Sequence, residues 1–395
     1  MSYRELVRAV PLPFFLLGLV ARLPSAVTPL ATLGLLHSAT GSFTFAGAAA
    51  AAQSLATAAG GIGVGIVADR LGPRPAGVAT AILNAACAAA LVAATRLDRP
   101  MMAVAAIALG LTQPAVGMLV RVHWTRLFRS TGRAELLPTA LSYETAANEL
   151  GFVAGPVLVG LLTAAVGPAG PLGAVALLTA GAAAPFALYY SPTPPPGRPV
   201  EAPRPRLGPL AAMVVAAAAL GGVFGTVQTG VTGYAAERGD PGSAGLLYAL
   251  LAVGSVAAGL GYAWVPAHIG AALRYLLASV GLLVGTAGLA IGHADLPVAI
   301  AVAGVTIAPY MIAAYSLTEH LSGGRGTAAA LMVVNAGGPL GAAAAQTIAG
   351  RAADAGGSAA AFLVAPAAAG VALLAAGAVL VAERRHQGVR RTANW

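Results

Sequence analysis

The chain has 395 residues, of which 58% are hydrophobic and only 9% charged, with a mean hydropathy of +0.81. A soluble domain carries about 25% charged residues, so a water-soluble globule of this length is excluded and lipid must be the solvent. The net charge of +9 does not indicate nucleic acid, because all 22 basic residues are Arg, spread over short loops rather than gathered on one face.

The N-terminus has the outline of a signal peptide, with Arg4 and Arg8, an apolar run and then Pro24-Ser25-Ala26. Hydrophobicity resumes past Arg22 to about Leu36, which makes a full span rather than a short cleavable segment. A helix needs about 20 apolar residues to cross a bilayer. The pattern predicts twelve such spans, starting near residues 11, 44, 75, 100, 138, 170, 208, 242, 270, 297, 327 and 359. The expected fold is therefore an all-α membrane protein. With twelve spans, 17 arginines fall on one face, while Arg96, Arg99, Arg238 and Arg351 fall on the other. By the positive-inside rule both termini are expected in the cytoplasm. The single Cys87 lies in an apolar segment and cannot form an intramolecular disulfide.

The longest polar stretch, Ser191 to Arg206, is rich in proline, which forbids a regular helix and favours extended chain. It divides the chain into an N-terminal half (1–190), a linker (191–207) and a C-terminal half (208–395), with six spans in each half. The halves echo one another. Ala46-Gly47 recurs as Ala244-Gly245, Gly63 as Gly261, Pro114 as Pro309, and Gly155-Pro156 as Gly338-Pro339. Such echoes favour two six-helix bundles related by a pseudo-two-fold axis.

Two short motifs carry the most information. Gly65 to Pro75 (GIVADRLGPRP) is a polar break after the second span. Gly65 permits close helix approach, Asp69 can accept backbone N–H bonds or pair with an arginine, and Gly72 allows a tight turn. The fifth span contains Gly151, Gly155, Pro156 and Gly160. There, small residues at four-residue spacing let helices approach, and Pro156 removes a backbone donor.

On these residues the chain resembles the major facilitator superfamily. Gly65, Asp69, Arg70, Gly72 and Arg74 match that family's loop between helices two and three, commonly written GxxxDRxGRR. Pro73 departs from it, standing where the family has a basic residue. The resemblance implies that Asp69 and Arg70 hold a cytoplasmic gate, with Arg74 and Arg121 near it. Gly151, Gly155, Pro156 and Gly160 resemble the GxxxGPxxGG pattern of the family's drug/proton antiporter branch, with Leu161 in place of the last Gly. A kinked packing helix is the plainer reading of the same residues. In the family, helices one, four, seven and ten line the cavity, which makes Gln113, Gln228, Tyr310 and Tyr315 candidates for substrate contact. Asn335 completes the second half's polar candidates.

The fifth span also holds two acids, Glu144 and Glu149. Counted from the expected cytoplasmic end, Glu149 lies at the same depth as Arg22, since both are about eleven residues in. Opposite charges at one depth in lipid should pair, which predicts an Arg22–Glu149 pair. By the same reasoning Arg121 partners Glu144. Such a pair neutralises buried charge, carries a proton between states or contacts polar substrate directly; Glu149, Glu144 and Arg22 are the candidates for proton coupling.

The six histidines show no metal-ligand spacing, and without Lys no Walker loop is possible. No nucleophile–base set suggests an enzyme, and no cofactor is implied. The expected protein is a monomeric transporter of the bacterial inner membrane. It exports a hydrophobic or amphipathic small molecule by proton antiport, with proton, cargo and membrane lipid as its partners. A facilitative or proton-symport importer and a lipid flippase fit the same composition. A non-transporting sensor fits less well, since no soluble domain is appended.

Overall fold

The computed structural model describes residues 5–392 except 7, 9, 115, 118, 119, 121, 122, 125, 126, 129, 130, 191–206, 267, 268, 292–294 and 323–332. Within the described residues the regular structure is helical. In chain order the helices are α1 (Leu12–Val20), α2 (Leu23–Thr40), α3 (Phe43–Leu71), α4 (Pro73–Ala94), α5 (Arg99–Leu111), α6 (Leu137–Val166), α7 (Gly170–Leu178) and α8 (Ala184–Tyr190). They continue with α9 (Leu207–Glu237), α10 (Ser243–Gly261), α11 (Ala271–Ile291), α12 (Leu296–Ser322), α13 (Gly337–Phe362) and α14 (Val364–Thr392). Taking α1 with α2 and α7 with α8, these make twelve spans. Ten are long and apolar enough to cross a membrane. The other two are α5, which is short, and α13, which carries Arg351 and Asp354 along its length.

The first ten spans begin within two residues of the positions read from the sequence. The eleventh expected start, near 327, lies outside the described residues, and the twelfth, near 359, falls where the chain turns helical again at Ser358 after a break inside α13. Arg351 and Asp354 look like loop residues, yet the helix continues through them. It breaks only at Gly356 (φ −145°) and Gly357 (φ +75°).

The breaks have local causes. Pro24 has no N–H to give the Val20 carbonyl, so the first span splits into α1 and α2 at Ala21–Arg22. The Arg22 N–H instead reaches back only three residues, to the Leu19 carbonyl at 3.2 Å. Between α7 and α8 the chain takes a wider π turn at Thr179–Ala183. There the Thr179 hydroxyl donates to the Val175 carbonyl at 2.6 Å.

The chain divides into two compact units. Unit 1 comprises Met1–Gly41, Ala52–Arg198 and Asp240–Ala249. Unit 2 comprises Ser42–Ala51, Pro199–Gly239 and Leu250–Trp395. The start of α3 therefore groups with the second unit and the start of α10 with the first.

Unit 1 is built on an aromatic cluster. Phe14 meets Trp124 edge-on at 4.9 Å and Phe186 at 5.3 Å, and Trp124 stacks on Phe128 at 5.4 Å. The buried Asn84 joins α4 to α5, its amide donating to the Leu109 carbonyl at 3.0 Å. Unit 2 packs differently, with α9 and α13 meeting backbone to backbone. A Cβ added to Gly341 would strike the Ala218 backbone, and one added to Gly221 would strike that of Gly338. Lipid supplies no hydrophobic drive between helices, so close van der Waals contact through small residues does this work.

Identical substitutions should separate contact glycines from idle ones. Gly341→Ala should destabilise by about 1–3 kcal/mol through overpacking. Gly288→Ala, with nothing within 4 Å of its added Cβ, should be neutral or slightly stabilising because Ala favours helix. Thermal melts of the two purified variants in detergent check this, and equal losses would refute the packing assignment.

Candidate functional site

The chemistry of unit 1 gathers on one face of α6. Ala140, Glu144, Ala147, Gly151 and Gly155 are all buried, at steps of four, three, four and four residues. That is the spacing of a single helical face. Glu144 therefore points into the unit, whereas Glu149 lies about 140° further round the helix and is half-buried.

The break at Ala21–Arg22 places Arg22 opposite this face. The Arg22 guanidinium pairs with the Glu144 carboxylate through Nη2 and Oε2, with the two side chains only 5% and 1% exposed. The indole Nε1 of Trp124 donates to the other carboxylate oxygen at 3.1 Å. Next to the acid, the Tyr143 hydroxyl donates to the Phe15 carbonyl at 3.1 Å, fixing α6 against α1. The aromatic cluster thus walls an ion pair that would be very costly if either partner stood alone. Among the described residues, Nε and Nη1 of Arg22 are buried and find no hydrogen-bond partner.

The pair expected from the sequence, Arg22 with Glu149, is therefore replaced by Arg22 with Glu144. Depth along the helix axis was the right coordinate but an incomplete one, because it ignores which face an acid occupies. The second expected pair, Glu144 with Arg121, falls on a residue outside those described. Trp124 was not anticipated as a partner of the acid. The stripe of small residues through Ala140, Ala147, Gly151 and Gly155 was the signal that marked Glu144 as the inward acid.

Pro156 lies within α6, which continues through it. Gly155 meets Ala26 of α2, and Gly160 meets Gly242 and Leu246 at the start of α10, so the motif serves two neighbours on different faces. Gly151 is buried with nothing near an added Cβ.

In the polar break between α3 and α4, Gly72 makes the turn with φ 95°, and Pro73 opens α4. Such a φ suits only glycine well. Arg74 donates from Nε to the Leu188 carbonyl near the end of α8. Arg70 is exposed in the last turn of α3. The close approach expected at Gly65 is not made, since nothing lies within 4 Å of an added Cβ. The side chain of Asp69 lies outside the described residues.

Of the substrate candidates, Gln113 is half-buried just beyond α5, its N–H bonded to the Gly110 carbonyl at 3.1 Å. In unit 2, Gln228 accepts from Gln346 at 3.0 Å, and the Tyr315 hydroxyl donates to Asn335 at 2.7 Å. Tyr310 is fully buried. Its hydroxyl donates to the Ala216 carbonyl at 2.9 Å and lies 3.2 Å from the Tyr275 hydroxyl, so it ties α12 to α9 and α11.

The family model described as Major Facilitator Superfamily matches residues 14–334. The chain belongs to the major facilitator superfamily. Solved structures of similar fold include the nucleoside transporter NupG, with TM-score 0.70 and 16% identity over 94% of this chain and 98% of that one. The POT family transporter PepTSo aligns at TM-score 0.66 and 12% identity, covering 95% and 98% of the two chains. The human organic anion transporter MFSD10 (TETRAN) aligns at TM-score 0.62 and 16% identity, covering 94% and 99%. Comparison with curated protein sequences gave no match. As a major facilitator superfamily member, the chain is a multi-pass membrane transporter of a small molecule.

The buried pair makes a sharp energetic prediction for this member of the major facilitator superfamily. Arg22→Met should cost about 3–5 kcal/mol, because it strands a buried carboxylate. Arg22→Met combined with Glu144→Gln should recover much of that loss. Thermal unfolding of the two single variants and the double variant gives the coupling; a value below about 1 kcal/mol would be that of an exposed bridge.

Proposed function

We propose that the protein is a proton-coupled exporter of a hydrophobic or amphipathic small molecule, working by alternating access. The observation that carries this reading is the Arg22–Glu144 pair sealed inside unit 1. A buried carboxylate has two stable conditions, ionised against a cation or neutral with a proton. Passing between them changes the strength of the tie between α6 and the break in the first span. Such a change is the differential interaction a proton needs in order to bias two conformations. The unused donors of Arg22 support the same reading, because a guanidinium holding one partner by one nitrogen can exchange partners without losing every bond.

In this reading Glu144 is the principal proton site and Arg22 its counter-charge. Glu149 is secondary, since among the described residues it has no ion-pair partner. The break at Gly72 and Arg74, with Asp69, Arg70 and Arg121, forms the cytoplasmic gate. The arginine distribution supports cytoplasmic termini in a bacterial inner membrane. Export follows from the likeness of Gly151, Gly155, Pro156 and Gly160 to the antiporter pattern. The polar groups described in unit 2, Gln228 with Gln346 and Tyr315 with Asn335, are neutral, which suits amphipathic cargo better than highly charged cargo. A monomer in contact with lipid is the working assembly.

The test uses proteoliposomes holding a pH-sensitive dye under an imposed proton gradient, screened with amphipathic compounds. The wild type and Glu149→Gln should both show compound-induced proton movement, and Glu144→Gln should lose it. Proton movement that survives in Glu144→Gln would remove this carboxylate from the coupling. Compound flux in the wild type without any dependence on the gradient would move the reading to facilitated diffusion.

A further inference from the structure

At one end of unit 2, two carboxylates cap helix starts that lie far from them in the sequence. Asp354 of α13 accepts from the Phe43 N–H at 2.7 Å and from the Thr44 N–H at 2.8 Å, and it takes the Ser42 hydroxyl at 3.0 Å. Ser42 completes the cap locally, its oxygen accepting from the Phe45 N–H at 3.2 Å. The first turn of α3, which leaves N–H groups without intrahelical partners, is thus closed by a residue more than 300 positions away. Glu237, ending α9, does the same for the restart of α13 after its break. It accepts from the Ser358 N–H at 2.5 Å and from the Ser358 hydroxyl at 2.7 Å.

The surfaces beside the Asp354 cap are smooth. Added Cβ atoms on Gly47 and Gly350 would strike the opposite backbone, at Gln346 and Phe43 respectively. Phe43 is buried in a small cluster with Ala349, Ala353 and Ala361. Only Ser42–Ala51 of α3 belongs to unit 2; from Ala52 the same helix belongs to unit 1. The cap, two close glycine contacts and the buried Phe43 ring all contribute to the attachment of these ten residues. Asp354 is exposed, so water replaces the lost hydrogen bonds when it withdraws, and the cap is weak enough to be broken repeatedly.

We propose that Asp354 is a gating residue whose carboxylate latches the first turn of α3 to α13, and that this latch is made and broken once in each transport cycle. The proposal rests on the alternating-access reading given above. It is independent of where the proton binds. The arginine distribution places this end of the chain on the side opposite the termini, so the latch would govern the outer opening.

Spin labels at Ala48→Cys and Ala355→Cys, both exposed positions in unit 2, report the latch directly. The background is Cys87→Ser, the protein is the full chain in lipid nanodiscs, and the readout is the pulsed EPR distance distribution. Asp354→Ala should raise the ratio of separated to joined populations roughly fivefold, the effect of losing a typical helix cap. Ser42→Ala, which removes one of the three bonds to Asp354 and the local bond from the Phe45 N–H but spares the charge, should shift it less in the same direction. An unmoved distribution in both variants, each monodisperse by size exclusion, overturns the latch. Compound-induced proton movement, measured on the same preparations, keeps the two ideas apart. A distance shift without proton movement sustains the latch and sinks proton coupling, whereas proton movement with an unmoved distribution does the reverse.

Discussion

Everything in this protein follows from a solvent that offers no hydrogen bonds. In lipid each backbone N–H and C=O must be satisfied within its own segment, which leaves helices as the available element here. Wherever a helix is interrupted, some group has to stand in for the missing bond. At Ala21–Arg22 the chain tightens by one residue, at Thr179–Ala183 a hydroxyl leans back onto a carbonyl, and at Gly356–Gly357 a glutamate from another helix supplies the acceptor. At Ala21–Arg22 the interruption also holds a charged side chain, Arg22. The same constraint that makes a break expensive makes it the natural position for chemistry.

The two units answer the packing problem in different ways. Unit 1 fills its interior with large rings from Phe14, Trp124, Phe128 and Phe186. Unit 2 brings α9 and α13 together through Gly221, Gly338 and Gly341, where backbones touch. An aromatic wall excludes water from the Arg22–Glu144 pair and keeps its electrostatics strong. A glycine seam has no side chains to reorient, so its geometry is fixed by backbone alone.

Most of the span map was legible because hydrophobic length is read one residue at a time. The starts of α3, α6 and α9 need nothing from the rest of the molecule. At α13, Arg351 and Asp354 read as loop residues yet lie within a helix, and the donors that Asp354 accepts from belong to α3, distant in sequence. The site was half legible for a similar reason. Arg22, Glu144 and Glu149 stand out as ionisable residues in lipid, but choosing between the two acids requires the rotation of α6. That rotation was written in Ala140, Ala147, Gly151 and Gly155 as a face of small residues. Tyr310 shows the opposite case: by position it looked like a cavity residue, yet its hydroxyl is spent on the Ala216 carbonyl and Tyr275.

The hydrogen bond from Trp124 to Glu144 has an optical consequence. The sequence holds three tryptophans, Trp124, Trp264 and Trp395. Trp124 is completely buried and Trp264 is 82% exposed. An indole whose N–H rests on a carboxylate senses that group's charge in the energy of its excited state, so Trp124 is a native fluorophore wired to the ion pair. With Trp264 and Trp395 replaced by Phe, the emission of the remaining ring would read the charge on Glu144 without any label.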